Sequence, residues 1–163
     1  MIFNYRNWSI ILIIISSISI ISALTAEYLF NLTPCEMCLK QRYPYYAITI
    51  LLIIFYFFKK FNNLLFLFLI EVCVLYGLFY SIWHVGIEQG LLEGPASCSG
   101  FLEQTDSIVE LKKQITNKPI INCSEVIWTI LGFSAATINT IILTFIFIFN
   151  TIFMIKYYNG FKK

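Results

Sequence analysis

The sequence predicts an all-α membrane protein, a four-helix transmembrane bundle with two exported loops that each carry a cysteine pair. Hydrophobic residues make up 59% of the 163 residues and charged residues only 12%, against roughly 25% charged residues in an ordinary soluble domain. The apolar residues form four separate runs instead of one anchor. We therefore expect a single domain, residues 1–163, with the lipid bilayer as its solvent and no nucleic acid as a partner.

The four runs have the length that a bilayer requires, since its hydrocarbon core takes about 20 consecutive apolar residues. Their approximate bounds are 8–30, 42–58, 64–83 and 128–155. The second span includes an extension, because its apolar run covers only 44–58 and its helix is expected to reach Arg42 or earlier. The fourth run is long enough to tilt or to begin before the hydrocarbon. Aromatic residues that prefer the headgroup level bracket the runs: Trp8, Tyr28, Tyr45, Tyr46, Trp83 and Trp128.

The first run has a signal peptide as its alternative interpretation, because Arg6 precedes it and Ala23 and Ala26 follow. Its apolar stretch is longer than the about 7 to 15 residues of a signal-peptide core, and no clean small-x-small cleavage site precedes Glu27. The sequence therefore favours a retained span.

The distribution of basic residues predicts the orientation of the bundle. Four spans place both termini on one side and the loops 31–41 and 84–127 on the other. The terminal side holds six basic residues and no acidic one, whereas the loop side, counted with Glu27 and Arg42 at the adjoining span ends, holds five basic residues beside eight carboxylates. Because basic residues stay inside, we expect cytoplasmic termini and exported loops. Four of the five cysteines then face a compartment where disulfides persist.

Two residues inside the third run are kept out of the predicted site, and of these only Cys73 is assigned to packing. Cys73 lies between valines, and a free cysteine commonly behaves as a small buried hydrophobe. Glu71 is more unusual, because a carboxylate within a span is expensive and normally faces the bundle interior, water or a partner. We expect it on the cytoplasmic half of the bundle, outside the functional site.

A C-x-x-C motif, Cys35 to Cys38, lies in the first exported loop. Two intervening residues permit reversible bridging, and thiols in such motifs can have depressed pKa values, especially near a cation. Arg42 follows Cys38 by four positions, which on a helix would place both side chains on one face and favour the Cys38 thiolate. Pro44 opposes this arrangement, because it disfavours helical geometry at the residue before it. The motif alone fits redox chemistry, half a metal site or a structural bridge.

The second loop holds Cys98 and Cys123, separated by 25 positions. A disulfide between them would contribute roughly 3 kcal/mol by loop-closure entropy, so stability alone could justify it. A two-residue bridge stabilises little, however, and two bridges of different character indicate relay chemistry. Zinc requires four suitable ligands, and His84 with the exported cysteines could supply them, yet the spacings match no familiar structural zinc motif. No metal site is predicted.

The segments C-E-M-C-L-K-Q-R-Y-P-Y-Y and H-V-G-I-E-Q-G-L-L-E-G-P-A-S-C, residues 35–46 and 84–98, resemble the DsbB family of disulfide bond formation proteins. The likeness covers nearly the whole chain, including the four spans and both cysteine pairs. It implies a protein-dithiol:quinone oxidoreductase in the bacterial cell inner membrane. It also implies two partners: a periplasmic thioredoxin-fold dithiol oxidase of the DsbA type, and a membrane quinone, either ubiquinone or menaquinone.

The resemblance implies a role for each cysteine. Cys98 and Cys123 form the loop disulfide, and Cys98 takes the mixed disulfide with the exported partner. Cys123 then exchanges with Cys35, and Cys38 becomes the thiolate that meets the quinone. Each step is thiolate attack on a disulfide, with a rate that depends on thiolate fraction, leaving-group pKa and access.

Three further residues of the site follow from the same resemblance. Arg42 is implied beside Cys38 at the quinone. His84 is implied near the quinone head, where it would hydrogen-bond a carbonyl or handle a proton; the alternative is an ordinary interfacial histidine. Gln41 stands where some relatives carry glutamate, which leaves the local charge open.

Three other functions compete with this interpretation. A non-catalytic membrane scaffold would use structural disulfides to fold its exported loops and bind another protein. A transporter of reducing power would run the same chemistry outward, but it would need cysteines within the spans, where only Cys73 is available. A vitamin K epoxide reductase-like bundle would also pair a C-x-x-C with a quinone, but it fits the loop cysteines less well.

Overall fold

The chain folds as a bundle of long helices in the computed structural model, which describes residues 5–57, 63–95, 108, 123–126, 128–130 and 132–161. Within these ranges the bundle has four long helices: α1 Tyr5–Tyr28, α2 Glu36–Phe57, α3 Asn63–Glu88 and α4 Ala135–Phe161. Three stretches, Asn7–Tyr28, Asn63–Glu88 and Ala135–Gly160, are long and apolar enough to cross a membrane. The predicted all-α membrane bundle is confirmed.

Helix α3 is central to the packing, because it lies against both α2 and α4, while α1 packs against α2. The buried core between the helices is formed by apolar and aromatic side chains: Trp8, Leu12, Tyr45, Ile48, Leu52, Phe66, Leu67, Ile70, Val74, Leu143, Ile146 and Phe153. Many large apolar residues point outward instead, among them Ile21, Phe68 and Phe79. Lipid tails are as apolar as leucine, so these outward faces suit a bilayer.

Helix α2 differs from the prediction at its start, since it begins at Glu36 and includes residues that were expected in a loop. It continues through Pro44, although proline has no N–H to donate to the carbonyl one turn earlier. The proline ring packs against Gly77 of α3, where an added Cβ would lie 2.6 Å from the ring carbon Cγ. A glycine opposite the proline thus lets α2 and α3 approach closely.

The fourth apolar run also differs, because its first residues are not helical. Thr129–Ile130 (β1) and Phe133–Ser134 (β2) form an antiparallel hairpin in which Thr129 lies opposite Ser134. Gly132 occupies the turn with a φ of 84°, a conformation that glycine adopts without a steric penalty. Helix α4 therefore begins only at Ala135. Helix α3 also differs from its predicted span, because it continues past residue 83 to Glu88.

Glu71 joins three helices through a buried hydrogen-bond network. Its two carboxylate oxygens accept hydrogen bonds from Asn150 Nδ2 and Thr151 Oγ1, both at 2.5 Å. The Asn150 amide also donates to the Leu67 carbonyl at 2.9 Å, and Trp8 Nε1 donates to Asn150 Oδ1 at 3.3 Å. These bonds satisfy the requirement that polar groups in a bilayer find partners within the protein, and they give Glu71, whose role the sequence left open, a structural one.

Replacing Glu71 with alanine is expected to destabilise the bundle by about 1–3 kcal/mol, because it leaves the buried Asn150 amide with one partner fewer. Glu71→Gln retains one acceptor oxygen and should cost less. Thermal unfolding of both variants in detergent measures the difference. Equal unfolding temperatures for wild type and Glu71→Ala would show that the network does not stabilise the fold.

Candidate active site

A compact cluster of cysteines lies at one end of the bundle, where α2 begins and α3 ends. Cys35, Met37, Ile87 and Cys123 are its buried members, and Trp83 and other partly buried side chains pack against them. These residues are distant in sequence but converge because α2 and α3 run antiparallel. Glu71 lies 13 positions before His84 on α3, or roughly 20 Å away at the helical rise of about 1.5 Å per residue.

Cys35 and Cys38 are free thiols, and a hydrogen bond joins their sulfur atoms at 2.9 Å. A covalent disulfide would bring the sulfurs to about 2.05 Å, so the pair is in its reduced form. The small difference in distance means that the pair can close with little movement of the backbone.

Cys35 caps helix α2 with both its backbone and its side chain. Its carbonyl accepts the Leu39 N–H at 3.1 Å, and its sulfur accepts the Cys38 N–H at 3.2 Å, which is the bonding pattern of an N-cap residue. The N-terminus of a helix carries a partial positive charge. The C-x-x-C motif therefore starts the helix, and the sulfur of Cys35 lies where a negative charge is favoured.

The surroundings of Cys35 stabilise its thiolate. The hydrogen bond with the Cys38 side chain lowers the pKa of Cys35 from its ordinary value of 9.0 to about 4; burial acts in the opposite direction, and His84 lowers the pKa further. His84 Nε2 lies 3.7 Å from the Cys35 sulfur. The pKa of the Cys38 thiol is raised, chiefly by its hydrogen bond with Cys35 and by burial, and the positive charge of Arg42 opposes this rise only in part. In the reduced pair the charge therefore belongs on Cys35, and the role of Arg42 at Cys38 stays a prediction.

Arg42 takes partners on α1 instead of the predicted contact with Cys38. Its guanidinium forms an ion pair with Glu27 and also donates to the Ala23 carbonyl at 3.4 Å. A carboxylate is a stronger acceptor for guanidinium than a thiol, because both partners are charged. Arg42 therefore joins α2 to α1, and it remains on the wall of the cavity that Cys38 also borders.

That cavity lies between α1, α2 and α4 and has a volume of about 230 Å³. Its wall is mostly apolar, and its polar side chains include Cys38, Gln41, Arg42, Tyr45 and Asn139. An apolar cavity with a few polar groups is the usual form of a small-molecule site, and such sites occur between the helices of bundles.

His84 does not line this cavity. It borders a smaller pocket of about 30 Å³ together with Cys35, Cys38, Glu88 and Glu125. Cys38 is shared by both spaces, so the thiol pair separates His84 from the larger cavity. The structure thus brings His84 to the cysteines, beside Cys35, and its position at a quinone head stays a prediction.

The other ring nitrogen of His84 is held by a chain of polar side chains. Gln41 Nε2 lies 2.8 Å from His84 Nδ1, and Asn139 Nδ2 donates to Gln41 Oε1 at 2.9 Å. Tyr45 donates its hydroxyl hydrogen to Asn139 Oδ1 at 2.5 Å. Asn139 was not among the predicted site residues, although a polar amide within an apolar run can indicate a buried polar site.

Cys123 lies beside the first cysteine pair, close to Cys35. It is buried and disulfide-bonded, and its sulfur, the Cys35 sulfur and a ring nitrogen of His84 all lie within 4.8 Å of one another. A metal would need thiolate ligands, whereas the Cys123 sulfur is in a disulfide. Cys98 lies outside the described residues. A thiolate beside a disulfide sulfur is the arrangement that thiol–disulfide exchange requires.

Comparisons with known proteins agree with this chemistry. The family model described as "Disulfide bond formation protein DsbB" matches residues 5–153. An uncharacterized protein of Rickettsia prowazekii (strain Madrid E) is 30% identical over 141 residues, which span 85% of this chain and 81% of that relative. No solved structure matches significantly. The chain therefore belongs to the DsbB family, whose members are membrane proteins of disulfide bond formation.

Proposed function

We propose that this protein reoxidises an exported DsbA-like dithiol protein and passes the electrons through two cysteine pairs to a membrane quinone. The observation that carries the proposal is the position of the disulfide-bonded Cys123, whose sulfur lies within 4.8 Å of the Cys35 sulfur, beside a cavity lined by Cys38. The proposed setting is the bacterial inner membrane, with both termini in the cytoplasm and the cysteine pairs on the periplasmic side.

The outer pair reacts first. We assign Cys98 as the disulfide partner of Cys123, because Cys35, Cys38 and Cys73 are free thiols. A thiolate of the exported partner attacks the Cys98 sulfur and breaks the Cys98–Cys123 bond. This forms a mixed disulfide on Cys98 and releases Cys123 as a thiolate.

The inner pair then accepts the electrons. The Cys123 thiolate attacks Cys35 in the oxidised C-x-x-C, which forms a Cys35–Cys123 disulfide and releases the Cys38 thiolate. The second thiol of the partner attacks the partner's own sulfur in the mixed disulfide, so the partner leaves oxidised and Cys98 becomes a thiolate. Cys98 attacks Cys123, restores the outer disulfide and releases Cys35. Two electrons have then moved from the partner to Cys35 and Cys38.

The arrangement in the structure corresponds to the end of this sequence, with Cys123 bridged and the inner pair reduced. The low pKa of Cys35, about 4, makes it a good leaving group when Cys98 attacks Cys123. Stabilising the reduced form of a pair also makes its disulfide more oxidising. Both effects favour electron flow from the outer pair to the inner pair.

The cavity beside Cys38 has the composition that a quinone head group requires. Apolar side chains from α1 and α4 suit the ring and the start of an isoprenoid tail, while Arg42 and Asn139 supply hydrogen-bond donors. A bound quinone would supply a two-electron acceptor for the reduced inner pair. Arg42 would favour negative charge at Cys38 and on the head group, and His84 would act on Cys35 instead of the head group.

Quinone reduction by purified protein, supplied with a reduced DsbA-like partner, tests the proposal. Cys38→Ser and Cys98→Ser should each reduce turnover to background, because each breaks one pair. Cys73→Ser serves as the matched control: Cys73 packs against the apolar core and does not line the cavity, so turnover should be retained. A wild-type protein that reduces no quinone while its cysteines are bridged would favour the scaffold alternative.

The acidity of Cys35 gives a second prediction. With the inner pair reduced and the outer pair bridged, the ultraviolet absorbance of the thiolate should persist as the pH falls from neutral and disappear with a midpoint near pH 4. Above that pH the charged form stabilises the reduced pair, and below it this stabilisation is lost. His84→Phe should raise the midpoint, and Cys35→Ser should abolish the transition. A midpoint near the ordinary thiol value of 9.0 would contradict the assignment.

A further inference from the structure

Four polar side chains from three helices form a continuous chain of hydrogen bonds beside the electron route. Tyr45 and Gln41 come from α2, Asn139 from α4 and His84 from α3. Tyr45, Gln41 and His84 are at most 6% exposed, so in a membrane bundle these groups must satisfy one another. Such a chain has a direction, because each amide presents an oxygen at one end and a nitrogen at the other.

From this chain we propose that Gln41, oriented by Asn139 and Tyr45, holds His84 as the neutral tautomer with its proton on Nε2, directed at Cys35. The three residues are then positioning residues for His84. The tautomer stands on the hydrogen bonds alone, while its consequence for Cys35 rests on the function proposed above.

The direction follows from the tyrosine end. Tyr45 donates its single hydroxyl hydrogen to Asn139 Oδ1, so the nitrogen of Asn139 faces Gln41 Oε1. The nitrogen of Gln41 therefore faces His84 Nδ1. Since an amide nitrogen only donates, Nδ1 must accept, and the ring proton is left on Nε2.

The acceptors around His84 require the same orientation of the amide groups, independently of Tyr45. Nε2 lies 3.7 Å from the Cys35 sulfur and 4.0 Å from Glu88 Oε1, and the ring also has a hydrogen bond with the backbone of Cys123. Thiolate, carboxylate and carbonyl are all acceptors. A lone pair on Nε2 would face acceptors only, so the proton belongs there.

The amide orientations in this chain oppose a second proton on the ring, although a thiolate and a carboxylate beside the ring favour one. A charged ring would carry a second proton on Nδ1, and Gln41 would then have to turn its oxygen toward that nitrogen. Asn139 would have to turn as well, and Tyr45 would have to direct its hydroxyl hydrogen to its other partner, Ser19. The glutamine thus holds His84 as a hydrogen-bond donor to Cys35, whereas a carboxylate at this position would accept from Nδ1 and favour the charged ring.

The consequence for the cysteines follows from the Nε2 proton. Cys35 as a thiolate is stabilised by this donor, and the stabilisation is present only while the sulfur carries charge. When Cys35 is bonded to Cys38 or Cys123, the same N–H can turn to the other acceptors around it. His84 then favours the reduced inner pair without being consumed.

The chain contains a single histidine, which makes the test direct. Full-length protein labelled with ¹⁵N-histidine, in detergent, should give one imidazole spin system, with hydrogen attached to Nε2 and none on Nδ1. Gln41→Glu should move a proton onto Nδ1. Asn139→Leu, which does not contact the ring, should release Gln41 and add a second set of ring signals with Nδ1 protonated.

Gln89→Glu provides the matched control, because it adds the same carboxylate at an exposed position near the end of α3 and should leave the ring signals unchanged. A wild-type ring with a proton on Nδ1 would overturn the proposal even if no variant folds. Unchanged signals in Asn139→Leu would overturn the role of Asn139 and Tyr45. The spectrum needs neither partner nor quinone, so failure of the quinone assay would leave this result standing.

Discussion

The rest of the structure depends on how a negative sulfur is held inside an apolar bundle. Burial opposes the charge on Cys35, and water cannot satisfy polar groups within a bilayer. The protein compensates with the Cys38 side chain, the Cys38 backbone N–H and His84. Each of these comes from a different constraint: the two-residue spacing, the start of α2, and the packing of α3 against α2.

Polar groups in this bundle fall into two networks with opposite properties. The Glu71 network satisfies a carboxylate with fixed donors from α4, and its described members include no sulfur atom. The network at the cysteines places reducible sulfurs between two spaces, one apolar and one polar. The distance between the networks along α3 keeps the structural charge away from the reactive one, which matters because unscreened charges in a low dielectric interact strongly.

The sequence predicted those parts of the fold that depend on local patterns. Composition and run length predicted the helices, and the C-x-x-C spacing predicted the thiol pair, because both signals lie within a few residues. The hairpin at 129–134 was missed, since a continuous apolar run does not separate strand from helix. The start of α2 was also missed, because the capping role of Cys35 is not visible in a motif interpreted as redox chemistry.

The same local patterns did not predict the contacts between side chains of different helices. Glu27 was counted only as a charge, and its pairing with Arg42 depends on the way α1 packs beside α2. Asn139 was overlooked because one amide does not interrupt an apolar run. The approach of Cys123 to Cys35 likewise depends on tertiary structure, and the resemblance to a family supplied what residue spacing could not.

The cap that Cys35 forms on α2 makes the stability of the helix N-terminus depend on the redox state of the cysteine. A thiolate at the N-cap neutralises the partial charge of the helix end and accepts the Cys38 N–H. Once the sulfur is shared in a disulfide it is neutral and a weaker acceptor, so we expect a weaker cap on the first turn of α2 in the oxidised pair than in the reduced pair. Gln41 lies only one turn further along this helix. The stability of the helix end that supports the cavity wall is therefore expected to depend on the redox state of the cysteines.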